Sequence, residues 1–273
     1  MTRDDRALND LAIRVITAQD RGGPLAPLSA DAPFDIRASY VIADRVHRMR
    51  IAQGAVPVGR KVGFTNRNIW NEYGVHEPIW GWMYEHTLVR ARNGHAQISI
   101  ARFPEPKIEP EIVLHLANAP PVTDDPAALF ACVDWIAHGF EIVQCPYPGW
   151  KLTAADAVAA SGLHGCLVLG DKVPVSSFGA DPIGALASFT VTLYCNGVKR
   201  DEGSGANVLG SPLAALAHAV ALSLAHPPHA GVSAGELITT GTLTAAFDIE
   251  PGQKWHTELH GIDLPGLALT VVG

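Results

Sequence analysis

Residues 106–116, PKIEPEIVLHL, combine the Ile-Val-Leu texture of a buried strand with two glutamates, Glu109 and Glu111, flanking Pro110. Side chains alternate faces along a strand, so the two carboxylates share one face with their Cα atoms roughly 6–7 Å apart. Ile108, Pro110 and Ile112 take the opposite face. Like charges on one face repel, and burying either is costly unless it is paired or bound to a metal. A wet sheet edge, where a proline is also tolerated, is the bland explanation. A cation site is the sharper one, and it requires a third acid.

Glu141, in FEIVQC, is that candidate. It is the only charge between His138 and Lys151, in a run that otherwise reads as a buried strand. Taken alone it reads as the partner of a nearby Arg or Lys. Taken with Glu109 and Glu111 it completes an all-oxygen donor set without histidine or cysteine. Such a set suits Mg²⁺, Mn²⁺ or Ca²⁺ rather than zinc. Mg²⁺ prefers six oxygens, so three protein ligands leave positions open for water or substrate, as a catalyst requires.

Composition narrows the setting. The chain has 273 residues, 48% hydrophobic and 17% charged, which suits a sizeable core and excludes global disorder. Twenty Lys+Arg against 27 Asp+Glu give −7, so neither a nucleic-acid surface nor a polybasic membrane patch is expected. No run approaching the roughly 18 apolar residues of a membrane span is read. The opening MTRDDRALND lacks the apolar core of a signal peptide, and a cytoplasmic location is expected. Cys132, Cys145, Cys166 and Cys195 form no C-x-x-C and sit in apolar runs, as reduced core thiols do.

Outward from the central stretch, the chain reads as mixed α+β. Leu8, Leu11, Ala12, Val15 and Ile16 make one helical stripe, and Ile42, Ala43, Val46 and Met49 another, ended by Gly54. Residues 1–56 are therefore expected to form a helical cap on a domain spanning 57–273. Beyond residue 57 short β runs dominate, beginning with VGRKVGFT. Asp125-Pro126 is expected to start a helix with Leu129, Val133, Ile136 and Ala137 on its buried face and Gly139 as its stop. Thr153 and Asp156 form a capping box. Asn196-Gly197 marks a hairpin. Ser211-Pro212 opens a helix that ends before Pro227-Pro228, and Gly205 suits a tight turn.

Six motifs in order, K-V-G-F-T, P-K-I-E-P-E-I, F-E-I-V-Q, D-A-V-A-A-S, G-A-N-V-L-G-S-P-L-A-A-L and T-T-G-T-L-T-A-A, resemble the fumarylacetoacetate hydrolase-like superfamily. Within it the chain is most similar to the 2-keto-4-pentenoate hydratase and 2-oxo-3-hexenedioate (4-oxalocrotonate) decarboxylase branch. The resemblance implies a mixed, mostly antiparallel β-roll that binds Mg²⁺ or Mn²⁺ through an E-x-E pair and a later acid, here Glu109, Glu111 and Glu141. It implies a hydratase acting on a 2-hydroxy-2,4-dienoate from aromatic meta-cleavage to give a 4-hydroxy-2-oxo acid. It also implies a homo-oligomer, with a complex with a sequential pathway enzyme as a further expectation.

Lys61 matches the lysine of the branch's K-I-G-L-T motif and is the expected second functional group, supplying charge or a proton. Arg60 should face the other way. Phe64 and Thr65, in the same motif, are expected substrate contacts. Thr242 and Thr244 match a stretch that lines the family's pocket; threonine is also simply a good strand former. Glu77, beside His76, and His164 are candidate proton carriers. Trp80 is expected at the substrate, within an aromatic cluster of Trp70, Tyr73, Trp80, Trp82 and Tyr84 that reads either as a lid or as packing. Three positions depart from the branch: Val158-Ala159-Ala160-Ser161 replaces V-A-D-N, Ile79 stands where an acid is usual, and Lys107 where Arg is usual. The alternatives are a 2-oxo-3-hexenedioate decarboxylase, which a second positive group placed for a distal carboxylate would favour, an acylpyruvate C–C hydrolase, and a non-catalytic 2-keto-acid-binding subunit.

Overall fold

The computed structural model describes residues 3–30, 34–67, 70 and 75–273. Its strands, in chain order, are β1 (Pro57–Gly63), β2 (Ile79–Tyr84), β3 (Leu88–Arg90), β4 (His95–Ser99), β5 (Lys107–Leu116), β6 (Val133–Val143) and β7 (His164–Leu169). They continue with β8 (Val173–Pro174), β9 (Thr190–Cys195), β10 (Val198–Ser204), β11 (Leu237–Thr239), β12 (Phe247–Asp248), β13 (Lys254–His260) and β14 (Ala268–Val272).

The opening stretch is β5, at the centre of the larger sheet. That sheet runs β2-β1-β11-β5-β6-β7-β3, with β12 added to β5 and β8 to β6; the smaller runs β10-β9-β13-β14-β4. Most pairs are antiparallel; β1–β11, β3–β7 and β4–β14 are parallel. Ile108, Phe140, Ile142 and Val168 of the larger sheet pack on Leu193, Trp255 and Leu269 of the smaller. Ile112, Leu114 and Ile136 pack instead on the helix Pro212–Ala225 through Leu213, Leu216 and Val220. On the opposite face of β5, the acidic row gives way to Val113, packed with Met83, Leu167 and Leu237.

Helices Arg3–Arg21 and Ile36–Ala52 form where the two apolar stripes lie. Ala12, Val15, Ile42 and Val46 bury those stripes against Ala157, Val158 and Trp80. The capping box holds: Thr153 Oγ1 accepts from the Asp156 backbone, and Asp156 accepts from the Thr153 N–H at 2.9 Å. The hairpin also holds, with Asn196 and Gly197 at φ 51° and 79° joining β9 to β10.

Two expectations are corrected. The helix begun at Pro126 stops at Phe130; Val133, Ile136 and Ala137 belong to β6, and Gly139 lies in mid-strand opposite Glu111. Residues 136–143 are buried throughout, so the period-two signal is absent and a helical spacing fits by coincidence. Gly205 does open the turn Gly205–Asn207, and a close approach adds to its role, since a Cβ there would lie 1.9 Å from Leu186 O. Gly205–Ala225 is apolar and long enough by composition to cross a membrane, contrary to the expected absence of such a run. Its α-helical part is only Pro212–Ala225, and nine of those residues are buried in the core.

Candidate metal centre

β5 and β6 bring the three acids together. Glu109 lies directly opposite Glu141 in the antiparallel register, and Glu111 lies opposite Gly139. One carboxylate oxygen from each acid falls within 4.8 Å of the other two. Glu111 and Glu141 are fully buried, whereas Glu109 is half-buried and faces the cavity beside them.

Their neighbours fix the geometry. Gly241 donates its backbone N–H to Glu111 Oε2 at 2.7 Å. Gly241 sits at φ +97°, and a Cβ there would come within 1.8 Å of Thr65 Oγ1, so this donor position tolerates only glycine. Lys61, on β1, places Nζ 3.2 Å from Glu141 Oε2 and donates to Gly162 O at 2.9 Å. His164, opening β7, donates from Nδ1 to Glu141 Oε1 at 2.9 Å, because a carboxylate only accepts; its Nε2 meets Thr87 Oγ1 at 2.9 Å.

The balance of charge is uneven. Burial pushes Glu109 up to about 7, opposed by Lys61 and reinforced by Glu141. Burial, then the Glu141 and Glu109 charges, hold Glu111 well above the usual carboxylate range. Burial acts the same way on Glu141, but Lys61 and His164 outweigh it and hold Glu141 low. Burial opposes the charge on Lys61, and the three acids overcome it, so Lys61 is raised. One ammonium and three carboxylates leave the cluster short of positive charge. Glu111 Oε1 and Glu141 Oε2 are buried without a hydrogen-bond partner; for the latter, Lys61 provides only an ion-pair contact. Orphaned buried carboxylate oxygens are rare because they are costly, and a hard cation is the group that satisfies them. The donor set therefore fits Mg²⁺ or Mn²⁺.

Glu109 lines a cavity of about 520 Å³, and the carboxylates of Glu111 and Glu141 are buried beside it. Lys61, Phe64, Thr65, Glu109, Thr242 and Thr244 all line it. The Thr65 hydroxyl is buried without a partner, whereas those of Thr242 and Thr244 donate to the carbonyls of Thr244 and Ala245, each at 2.9 Å. The other candidates lie elsewhere. His164 stands on the far side of Glu141, lining a second cavity. Glu77 is exposed and lines neither cavity. Trp80 is 2% exposed, stacked on Tyr40 at 5.4 Å and packed beneath the Arg60 guanidinium at 4.9 Å. Arg60 does face away from Lys61, pairing with Glu236 at 2.9 Å. Trp70 Nε1 donates to Phe64 O at 2.7 Å, and Tyr73 lies outside the described residues. Sequence reasoning passed over Gly241 as Glu111's donor and Asn207 as a cavity residue, although both lie in quoted motifs; Asn207 Nδ2 donates to Leu243 O at 2.8 Å.

Comparison with known proteins identifies the family. Residues 72–271 match the fumarylacetoacetate (FAA) hydrolase C-terminal family. A 4-oxalocrotonate decarboxylase from a Pseudomonas species is 28% identical over 259 residues, covering 93% of this chain and 95% of the relative. A 2-keto-4-pentenoate hydratase from Paraburkholderia xenovorans is 30% identical over 250 residues, covering 90% and 88%. Among solved structures, the 4-oxalocrotonate decarboxylase from Pseudomonas putida G7, complexed with magnesium and adipate, aligns with a TM-score of 0.86 at 24% identity, covering 100% of this chain and 99% of that one.

Proposed function

Because the chain belongs to the fumarylacetoacetate hydrolase C-terminal family, we propose that it is a divalent-metal-dependent lyase that adds water to a 2-hydroxy-2,4-dienoate, giving a 4-hydroxy-2-oxo acid. The observation that carries this reading is the pair of orphaned, buried carboxylate oxygens on Glu111 and Glu141, clustered with Glu109, which lines a substrate-sized cavity. Relatives with both hydratase and decarboxylase activities support it. Glu109, Glu111 and Glu141 would hold Mg²⁺ or Mn²⁺. Such an ion, when bound, supplies a Lewis acid for the substrate's carboxylate and 2-oxygen, stabilising negative charge there.

The chain's own groups have separable roles. Lys61 keeps its proton because three carboxylates surround it, so its Nζ anchors an anionic substrate more readily than it acts as a base. The Thr65 hydroxyl, unpartnered at the cavity wall, is free to donate to a substrate oxygen. Phe64 and Thr242 shape the wall. His164 positions Glu141 from behind instead of reaching the substrate. Gly241 holds Glu111 in place.

We also read residues 1–56 as a cap on a β-roll catalytic domain spanning 57–273. The burial of both N-terminal helices against Ala157, Val158 and Trp80 supports this. A homo-oligomer, an association with a sequential pathway enzyme and a cytoplasmic setting complete the reading. They rest on the family likeness, and sedimentation of the purified protein tests the first.

The decisive experiment treats chelated protein with Mg²⁺ or Mn²⁺ and supplies 2-hydroxypenta-2,4-dienoate. Loss of the dienol absorbance, with a product one water heavier by mass spectrometry, is expected only in the presence of metal. Binding of 2-oxo acids without turnover in either metal would overturn the reading in favour of a non-catalytic subunit. Release of CO₂ from a 2-oxo-3-hexenedioate, with no hydration of the dienoate, would assign the decarboxylase instead.

A further inference from the structure

Hydration needs a group that takes a proton from water and returns one to carbon, and the carriers expected from the sequence do not supply it. Glu77 is exposed and lines neither cavity, and His164 stands behind Glu141. Among the described residues lining the main cavity, the ionisable side chains are Lys61, Lys107, Glu109 and Asp201. Lys61 is held at the acidic triad by Glu141 and Gly162 O. Glu109 belongs to the triad itself. Lys107 carries its ammonium 4.8 Å from the centre of the Trp150 ring, and an ammonium has no lone pair with which to accept a proton. The remaining acid is Asp201, half-buried on β10 of the smaller sheet. Its carboxylate is held in place: Oδ1 accepts from the Glu202 N–H at 2.8 Å and Oδ2 from the Ala245 N–H at 2.9 Å. Each oxygen keeps a further lone pair after one such bond.

We propose that Asp201 is the general base and acid of the water-addition step. The inference rests on the hydratase reading of the cavity. Ala245, which holds Asp201, belongs to the same segment as Gly241, which holds Glu111. Leu243 donates its N–H to Pro110 O at 2.8 Å and Phe247 pairs with Ile108, so the segment runs beside β5 and its acids. Thr242, Thr244 and Ala245 of that segment line the cavity. Four residues separate Gly241 from Ala245, a span of at most about 14 Å. With the 2-oxo-acid end of the substrate at the triad, C4 lies two bonds of about 1.5 Å beyond C2. A water at C4 and a hydrogen bond of about 3 Å from it to Asp201 fit within that span. After ketonisation the substrate is a 2-oxo-3-enoate. The water oxygen bonds to C4, one water proton passes to the Asp201 carboxylate, and the C3–C4 π pair moves onto C3 and the 2-oxygen. Asp201 then returns the proton to C3. One water is consumed, a 4-hydroxy-2-oxo acid forms, and the carboxylate is regenerated.

The test supplies 2-hydroxypenta-2,4-dienoate to the Mn²⁺-loaded protein and to Asp201→Asn, following dienol absorbance and product mass together. In the variant, formation of the product one water heavier should fall at least about 100-fold, the usual scale of general acid–base catalysis. Dienol consumption should persist, with the product remaining at the mass of the substrate, because ketonisation precedes the step assigned to Asp201. Mn²⁺ affinity, measured by calorimetry, should stay within about twofold, since Asp201 is outside the acidic triad. Hydration by the variant within about threefold of the unmodified rate overturns the proposal. Loss of Mn²⁺ affinity, or of dienol consumption along with hydration, also overturns it, because Asp201 would then shape the site or act before water addition. Absence of turnover in the unmodified, loaded protein overturns the hydratase reading itself and the proposal with it.

Discussion

At the scale of single residues, two glutamates two positions apart on a strand point to a cation only together with a third acid, Glu141, because same-face like charges on an exposed edge need no partner. What the sequence did not disclose is how each carboxylate is held. Glu111 depends on the Gly241 N–H, 130 residues away, and Glu141 depends on His164 and Lys61 from two other strands. Those contacts arise from tertiary placement and leave no local pattern. They lead to a specific expectation for Glu111→Gln. In metal-free protein burial and the neighbouring acids disfavour the charge on Glu111, so an uncharged amide of equal size that still accepts from Gly241 should change stability by less than about 1 kcal/mol. Metal binding should fail much more severely. Loss of an outer-shell partner already costs 10–100-fold, so removal of a charged ligand should weaken Mn²⁺ binding by at least about 100-fold. Thermal melts after chelation, together with Mn²⁺ calorimetry, read both quantities. Undiminished Mn²⁺ affinity would remove Glu111 from the ligand set.

At the scale of elements, legibility followed exposure. The amphipathic N-terminal helices and the Asn196-Gly197 hairpin carry periodic or turn signals, and both were read correctly. β6 carries neither, because a strand buried on both faces offers no alternation, and the apolar spacing of its first half fits a helix equally well. The capping box at Thr153 was legible, but its larger role was not. Asp156, fully buried, also accepts from Ser29 N at 3.0 Å and Ser29 Oγ at 2.6 Å, so one carboxylate caps the helix Ala154–Ala159 and fastens the turn Leu28–Ala30 to it. Asp156→Ala should therefore cost roughly 3 kcal/mol, combining about 1 for the lost cap with 1–3 for buried donors left without an acceptor. Ser29→Ala, which keeps its own backbone N–H paired to Asp156, should cost about 1 kcal/mol. Urea denaturation of both variants checks the ordering, and equal losses would show that the Ser29 link to Asp156 does not extend beyond the serine hydroxyl.

At the scale of the whole molecule, the order of strands was beyond sequence reasoning. Pairings such as β1 with β11 join residues more than 170 positions apart, and no local signal selects them. The two sheets also share a polar link that no motif announced. His138 on β6 faces Glu111 O through Nδ1 at 2.9 Å and the Thr257 hydroxyl of β13 through Nε2 at 2.8 Å. The carbonyl can only accept, so Nδ1 carries the proton, and the Thr257 hydroxyl donates to Nε2. The neutral Nδ1–H tautomer satisfies both ring nitrogens. Burial pushes His138 down from 6.5 to about 4, with the Glu111 carbonyl opposing weakly. The folded value lies below the unfolded one, so on acidification the unfolded chain takes up the proton first. The stability contributed by neutral His138 is complete above about 6.5 and is lost as pH falls towards 4. Between pH 7 and pH 5 the loss should be about 2 kcal/mol. Other buried acids titrate over the same range, so the quantity to follow is the difference in urea stability between the unmodified protein and His138→Gln, which cannot take up that proton. That difference should move by about 2 kcal/mol in favour of the variant on going from pH 7 to pH 5. A difference independent of pH would mean that His138 is solvated or already charged, and the link between the sheets would then not depend on its neutral form.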